Sequence, residues 1–218
     1  MLHSIACIAV PQMAPFEFGV ICEVFGIDRS EQGGPTFDFH VVAAEPGPIP
    51  TKLGFDVVVH EGLEFAYEAD LVAVPASLID TPPDERVLDV IRHAVERGAW
   101  VLSVCSGAFT LGHAGVLAGR RATTHWMYTD RLAEMFPETE VDPDVLFVED
   151  RHVVTSAGTA AGIDAALHIV RTELGAAATN VIARRMVVPP QRAGGQRQYV
   201  KQPIPTCSAD GLASTWTG

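Results

Sequence analysis

No stretch of this sequence holds 18 consecutive apolar residues, so no segment has the length and hydrophobicity of a transmembrane helix. The opening residues MLHSIACIAVPQM carry no basic leading region and only a short apolar run, which argues against a secretory signal. Cysteine is scarce: Cys7, Cys22, Cys105 and Cys207 stand alone, with no C-x-x-C pair. That spacing excludes the common zinc patterns and a disulfide framework, and a reducing, cytoplasmic setting is expected. No G-x-G-x-x-G follows a strand and no P-loop lysine motif occurs, so no nucleotide cofactor is expected. Gly33-Gly34 and Gly194-Gly195 read as ordinary loop pairs. The eight histidines show no ligand spacing, so no metal is expected either.

Basic residues are the other shortage. Fifteen Lys and Arg face 27 Asp and Glu, a net charge of −12. The imbalance is uneven. From Arg184 to Gly218 the bases are Arg184, Arg185, Arg192, Arg197 and Lys201, and the only acid is Asp210. That segment therefore carries +4, which leaves −16 for residues 1–183. So acidic a body makes a poor phosphate-binding surface. The basic stretch reads as a solvated linker, with contact to DNA as the alternative.

What is present is apolar residue in pattern. Hydrophobic residues make up 48% of the chain, ample for a core. Residues 4–10, 36–44, 70–75 and 100–104 are short apolar runs that read as strands. Between them, Pro15 suits the first turn of a helix that spaces Phe18, Ile21, Cys22 and Phe25 on one face. Residues 46–65 hold too many breakers for a helix and read as a loop with one or two edge strands. Residues 83–97 form an amphipathic helix closed by Gly98. A helix over 107–117, a short strand and turn in RATTHW, and a small helix over 128–136 come next. VLFVEDRHVVTSAG reads as a hairpin turning near Asp150-Arg151. Two alanine-rich helices, 159–174 and 176–187, are separated by Gly175. Alternating strand and helix predicts an α/β domain over residues 1–188, doubly wound around a mostly parallel sheet with helices on both faces. Its ligand site is expected at the carboxyl ends of the strands. Residues 189–218 are rich in Pro, Gly and Gln and read as a linker or loosely docked tail.

Cys105 ends the strand WVLSV and begins the turn into SGAF. A nucleophile at such an elbow needs small neighbours, and Ser103 and Gly107 provide them. The start of the next helix is expected to stabilise a thiolate, and the Ser106 N–H to offer a donor to an anion. The alternative is a small buried hydrophobe, a frequent role for cysteine. Cys7 and Cys22 fit core faces. Two polar residues are expected near Cys105. Glu17 sits at the first strand-to-helix junction, where a carboxyl can share a hydrogen with the thiol. His125, in TTHW, is a candidate base or ligand-orienting group, or a half-buried histidine satisfied by backbone.

The run VCSGAFTLGHAGVLAGRRATTHW, with VDPDVLFVED, VVTSAGTAAGIDAALHIVR and ARRMVVPPQRAGGQRQYV, resembles the regulator branch of the ThiJ/PfpI superfamily. These are AraC-type transcriptional regulators with a class I glutamine amidotransferase-like domain. The similarity covers roughly residues 3–205. It implies a flavodoxin-like sheet, a cytoplasmic homodimer and a small-molecule effector held around Cys105. It also implies that DNA is read by a separate C-terminal domain with two helix-turn-helix motifs. Residues 189–218 are then the linker and tail leading to that domain, which is absent from these 218 residues. Cys105, Glu17, Ser106, Gly107, His125, Thr155, Ser156 and Gly158 would line the effector pocket.

The superfamily also holds isonitrile hydratases, glyoxalase-like enzymes and peptidases. In such an enzyme Cys105 would be the nucleophile and Glu17 its acid/base partner. Many near relatives have aspartate where Glu17 stands. The peptidases place histidine directly after the cysteine, where this chain has Ser106, which argues against proteolysis. A cysteine that senses oxidation is a third reading.

Overall fold

The computed structural model describes residues 1–198. The final part of the tail, Cys207 included, lies outside the described residues. Strand β1 (Ser4–Ile8) is followed by α1 (Pro15–Phe25), β2 (Asp38–Val42), β3 (Gly47–Pro50), β4 (Asp56–Val59) and β5 (Leu71–Val74). Next come α2 (Glu85–Arg97), β6 (Trp100–Val104), α3 (Gly107–His113), β7 (Arg121–Ala122), α4 (Thr129–Met135) and β8 (Glu140–Val141). The chain continues through β9 (Phe147–Asp150), β10 (Val153–Ser156) and α5 (Ala160–Met186).

The main sheet has the order β2-β1-β5-β6-β10-β9. The first five strands are mutually parallel and β9 runs antiparallel at the edge. Numbering the parallel strands in chain order gives 2-1-3-4-5, the flavodoxin-like order. The chain moves outward from β1 to β2, then crosses back to β5 and continues the other way. The strand order therefore reverses between β1 and β5.

Side-chain alternation in the strands builds a core on each face. Ala6, Ile8, Val72, Val74 and Val101 face α2 and α3, where Val90, Ile91 and Leu111 meet them. Ile5, Cys7, Leu71, Ala73, Leu102 and Val104 face α1 and α5 and pack with Ile21, Phe25, Ile169 and Ile182. Both faces are buried, which is why these strands read as continuous apolar runs.

Several elements differ from the sequence expectation. The helix expected over 107–117 stops at His113 and gives way to turns. Gly112 and Gly115 lie within the expected span, and a helix pays about 1 kcal/mol for each glycine. The edge strands expected in 46–65 instead pair with each other as the β3–β4 hairpin, apart from the main sheet. The β9–β10 hairpin turns at Arg151-His152, with φ of 53° and 63°. Two-residue hairpin loops need such values. No glycine marks the turn; Trp100 stacks on the His152 ring at 4.4 Å and Gly98 O lies 3.0 Å from its Nδ1. Gly175 interrupts α5 as expected, leaving helical geometry at φ 82° and ψ 177°.

The tail is not loose where it is described. Leu146 N–H donates to Gly194 O at 2.7 Å, and Gln198 N–H to Asp144 O at 3.2 Å. Arg192 forks onto Asp164, with Nε 2.9 Å from Oδ1.

Candidate functional site

The carboxyl ends of β1, β5, β6 and β10 converge on one rim of the sheet. Cys105 stands there directly after β6, with φ of 57°. An L-residue in that left-handed region is strained and persists only where its surroundings fix it. Here they do. Cys105 N–H donates to Ser156 O at 3.1 Å, and Cys105 O accepts from Thr124 Oγ1 at 2.8 Å. The small residues of the elbow have concrete causes. A Cβ on Gly107 would lie 2.7 Å from Val74 O and 2.8 Å from Pro75 O. A Cβ on Gly158, itself at φ 85°, would lie 2.8 Å from Cys105 Sγ. The backbones of β5 and of the β10–α5 turn thus clamp the elbow from two sides.

Ser106 serves this clamp. Its Oγ donates to Ser77 O at 2.7 Å and accepts from Ser77 N–H at 3.1 Å. Thr155 and Ser156 are also committed within the fold. Thr155 Oγ1 accepts from Thr123 N–H at 2.8 Å, and Ser156 Oγ donates to Ser103 O at 3.3 Å. Their hydroxyls, expected to face a ligand, hold the strand ends together instead. The signal that misled was position alone: strand-end residues need not point outward.

Glu17 and His125 do reach the site. Glu17, one turn into α1, is 6% exposed. Its charge acts on both Cys105 and His125. His125 Nδ1 accepts from Met127 N–H at 3.3 Å, which puts the neutral ring's hydrogen on Nε2. Burial lowers the His125 pKa, partly offset by Glu17, so the neutral ring dominates at pH 7.

Burial works against the expected thiolate. The Cys105 thiol is pushed up to about 11, first by burial and then by the Glu17 charge. The Ser106 N–H and Lys52 pull the other way and lose. Helix α3 has only seven residues and brings too little dipole to decide the balance.

Two cavities flank the elbow. One, of about 250 Å³, opens where the strand order reverses and is lined by Val10, Ala43, Ile49, Ser77, Leu78 and Val87. The other, of about 180 Å³, is lined by His125, Leu146, Ala157, Gly158, Arg192 and Gln198. Sequence reasoning missed Lys52, Ser77, Thr124 and Gln198. Lys52 lies in the breaker-rich segment and Gln198 in the tail, and neither stretch has a periodicity that points inward. Among the described residues no group of three or more His, Cys, Asp or Glu side chains is placed to hold a metal. No helix among them is long and apolar enough to cross a membrane.

Known proteins resemble this chain in sequence and fold. Residues 3–172 match the DJ-1/PfpI family. The chain is 34% identical over 143 residues to an isonitrile hydratase of Pseudomonas putida, covering 65% of this chain and 61% of that protein. It is 32% identical over 138 residues to the HTH-type transcriptional regulator CdhR of Pseudomonas aeruginosa, covering 62% of this chain and 40% of the regulator. The matches thus span about three fifths and two fifths of those relatives' lengths. The fold superposes on that of an AraC family transcriptional regulator from Pseudomonas putida with a TM-score of 0.72 at 22% identity, over 84% of this chain and 99% of that one. A strained cysteine on a flavodoxin-like sheet, matched over residues 3–172, makes this chain a member of the DJ-1/PfpI family, with helix-turn-helix regulators and a hydratase among its relatives.

Proposed function

We propose that this chain is the ligand-sensing part of an AraC-type transcriptional regulator, holding a small metabolite beside Cys105, Glu17 and His125. The observation that carries this reading is the closure of the elbow beside a cavity: Cys105 is 8% exposed, the Ser106, Thr155 and Ser156 hydroxyls are bonded within the protein, and a cavity lined by His125 and Gly158 opens next to them. Sensing needs a selective pocket and different affinity in two states, not turnover. The relatives that are regulators support the same reading. With the buried Glu17 carboxyl at the site, the proposed effector is a small amine, amino acid or quaternary ammonium compound. A homodimer, a cytoplasmic location and DNA contact through a separate helix-turn-helix domain belong to the same proposal.

Isothermal titration of the chain against those three ligand classes tests it. One class should bind, and Glu17→Gln should weaken that binding by at least about tenfold, the loss of one charge-assisted contact. Absence of binding from all three classes would sink the reading.

The relationship to an isonitrile hydratase favours a second function, hydration of an isonitrile with Cys105 as nucleophile and Glu17 as its proton partner. Turnover measured beside a Cys105→Ala variant decides it. Equal rates in both proteins exclude that mechanism.

A further inference from the structure

The tail residue Gln198 is buried, although it comes from a segment of low periodicity. Its side chain makes a set of bonds at the site's edge. Gln198 Oε1 accepts from Trp126 N–H at 2.8 Å. Gln198 Nε2 donates to Thr124 O at 3.0 Å and approaches Thr123 Oγ1 at 3.4 Å. Thr124 Oγ1 in turn donates to Cys105 O. A continuous path of hydrogen bonds therefore runs from the tail to the carbonyl of the strained cysteine. The path passes through residues 123–126, the segment that also carries His125.

The rest of residues 191–198 is anchored as a unit. Arg192 grips Asp164, a carboxylate that is itself buried on α5. Phe147 packs against Gly194, where a Cβ would lie 2.9 Å from the ring and from Phe147 O. Between these anchors lies the cavity of about 180 Å³. Its wall is made jointly by site residues, His125 and Gly158, and by tail residues, Arg192 and Gln198. Anything that fills this cavity and alters the position of His125 acts on the same backbone that Gln198 holds.

We propose that residues 191–198 are a strap docked across the site, and that filling the cavity beside Cys105 and His125 releases it. Occupancy at the strand ends is thereby passed to the residues that follow Gln198. This inference rests on the sensing role proposed above. Gln198 acts as a positioning residue: it holds the 123–126 segment and does not touch the reacting sulfur.

Linkage makes the coupling reciprocal, so it is measurable from either end without an effector. Undocking the strap with Gln198→Ala should speed alkylation of Cys105 by iodoacetamide several-fold, while Cys7, fully buried in the core, keeps its wild-type rate. Arg192→Ala, at the other anchor, should do the same. In the opposite direction, carbamidomethylation of Cys105 in the unaltered chain should raise hydrogen exchange at the Trp126 and Gln198 amides. Wild-type alkylation of Cys105 in both variants would overturn the proposal. So would a parallel rise at Cys7, because the tail would then stabilise the whole fold and not the site. Failure of these arms refutes the strap, whereas failure of the ligand titration refutes the sensing role and leaves the coupling intact.

Discussion

At Cys105 two influences compete, and geometry decides between them. The Ser106 N–H and the Lys52 ammonium favour the thiolate, while burial and Glu17 oppose it. Burial is the larger, because a residue only 8% exposed has lost most of the water that would stabilise a charge on its sulfur. Removing the neighbouring negative charge acts in the known direction. Glu17→Gln should bring the Cys105 pKa down from about 11 while burial still holds it above an ordinary thiol. The midpoint of the alkylation rate against pH should move to lower pH, so that at pH 9 the variant reacts faster than the parent. An unmoved midpoint would mean that Glu17 carries no charge in the folded protein. The sequence singles out Cys105, Glu17 and His125 by their places after strands, and Glu17 lies near enough for its charge to act on the other two. It could not give the protonation state, which depends on how many atoms from distant segments close over the sulfur.

Among the elements, the parallel strands were the most legible, since burial on both faces leaves an uninterrupted apolar run. Helix ends were less so. Helix α1 closes in a way its sequence does not announce: Arg29, beyond its end, folds back and buries its guanidinium. The side chain donates to Val24 O at 3.1 Å, Ile27 O at 2.9 Å and Glu23 O at 2.5 Å. The Glu23 and Val24 carbonyls are among those that the helix end leaves without partners, and the Ile27 carbonyl lies just beyond it. An arginine after a helix ordinarily reads as a surface charge, and only the three-dimensional return of the chain shows otherwise. Arg29→Ala should therefore cost about 2–4 kcal/mol, the range for breaking a buried hydrogen-bond network. Urea unfolding followed by circular dichroism checks it. A loss below about 0.5 kcal/mol, typical of surface positions, would show that water replaces the guanidinium at no cost.

The whole molecule carries its charge as the sequence said, with an acidic body and a basic final segment. A net charge of −12 repels a polyanion, and a segment of +4 is too weak to overcome it at physiological salt. These 218 residues alone should leave a short random duplex unshifted in a gel at about 150 mM salt. A clear shift would assign DNA contact to residues 184–218 instead of to a separate domain. The strand order has a practical consequence at this scale. Every parallel strand points its carboxyl end at the elbow, so Met1, at the amino end of β1, and the Arg151-His152 turn, at the amino end of β10, lie on the opposite rim. A tether to a solid support at Met1 would present the cavities to solution. This suits the domain to surface-based detection of its ligand, with the reporting dye placed near Trp126.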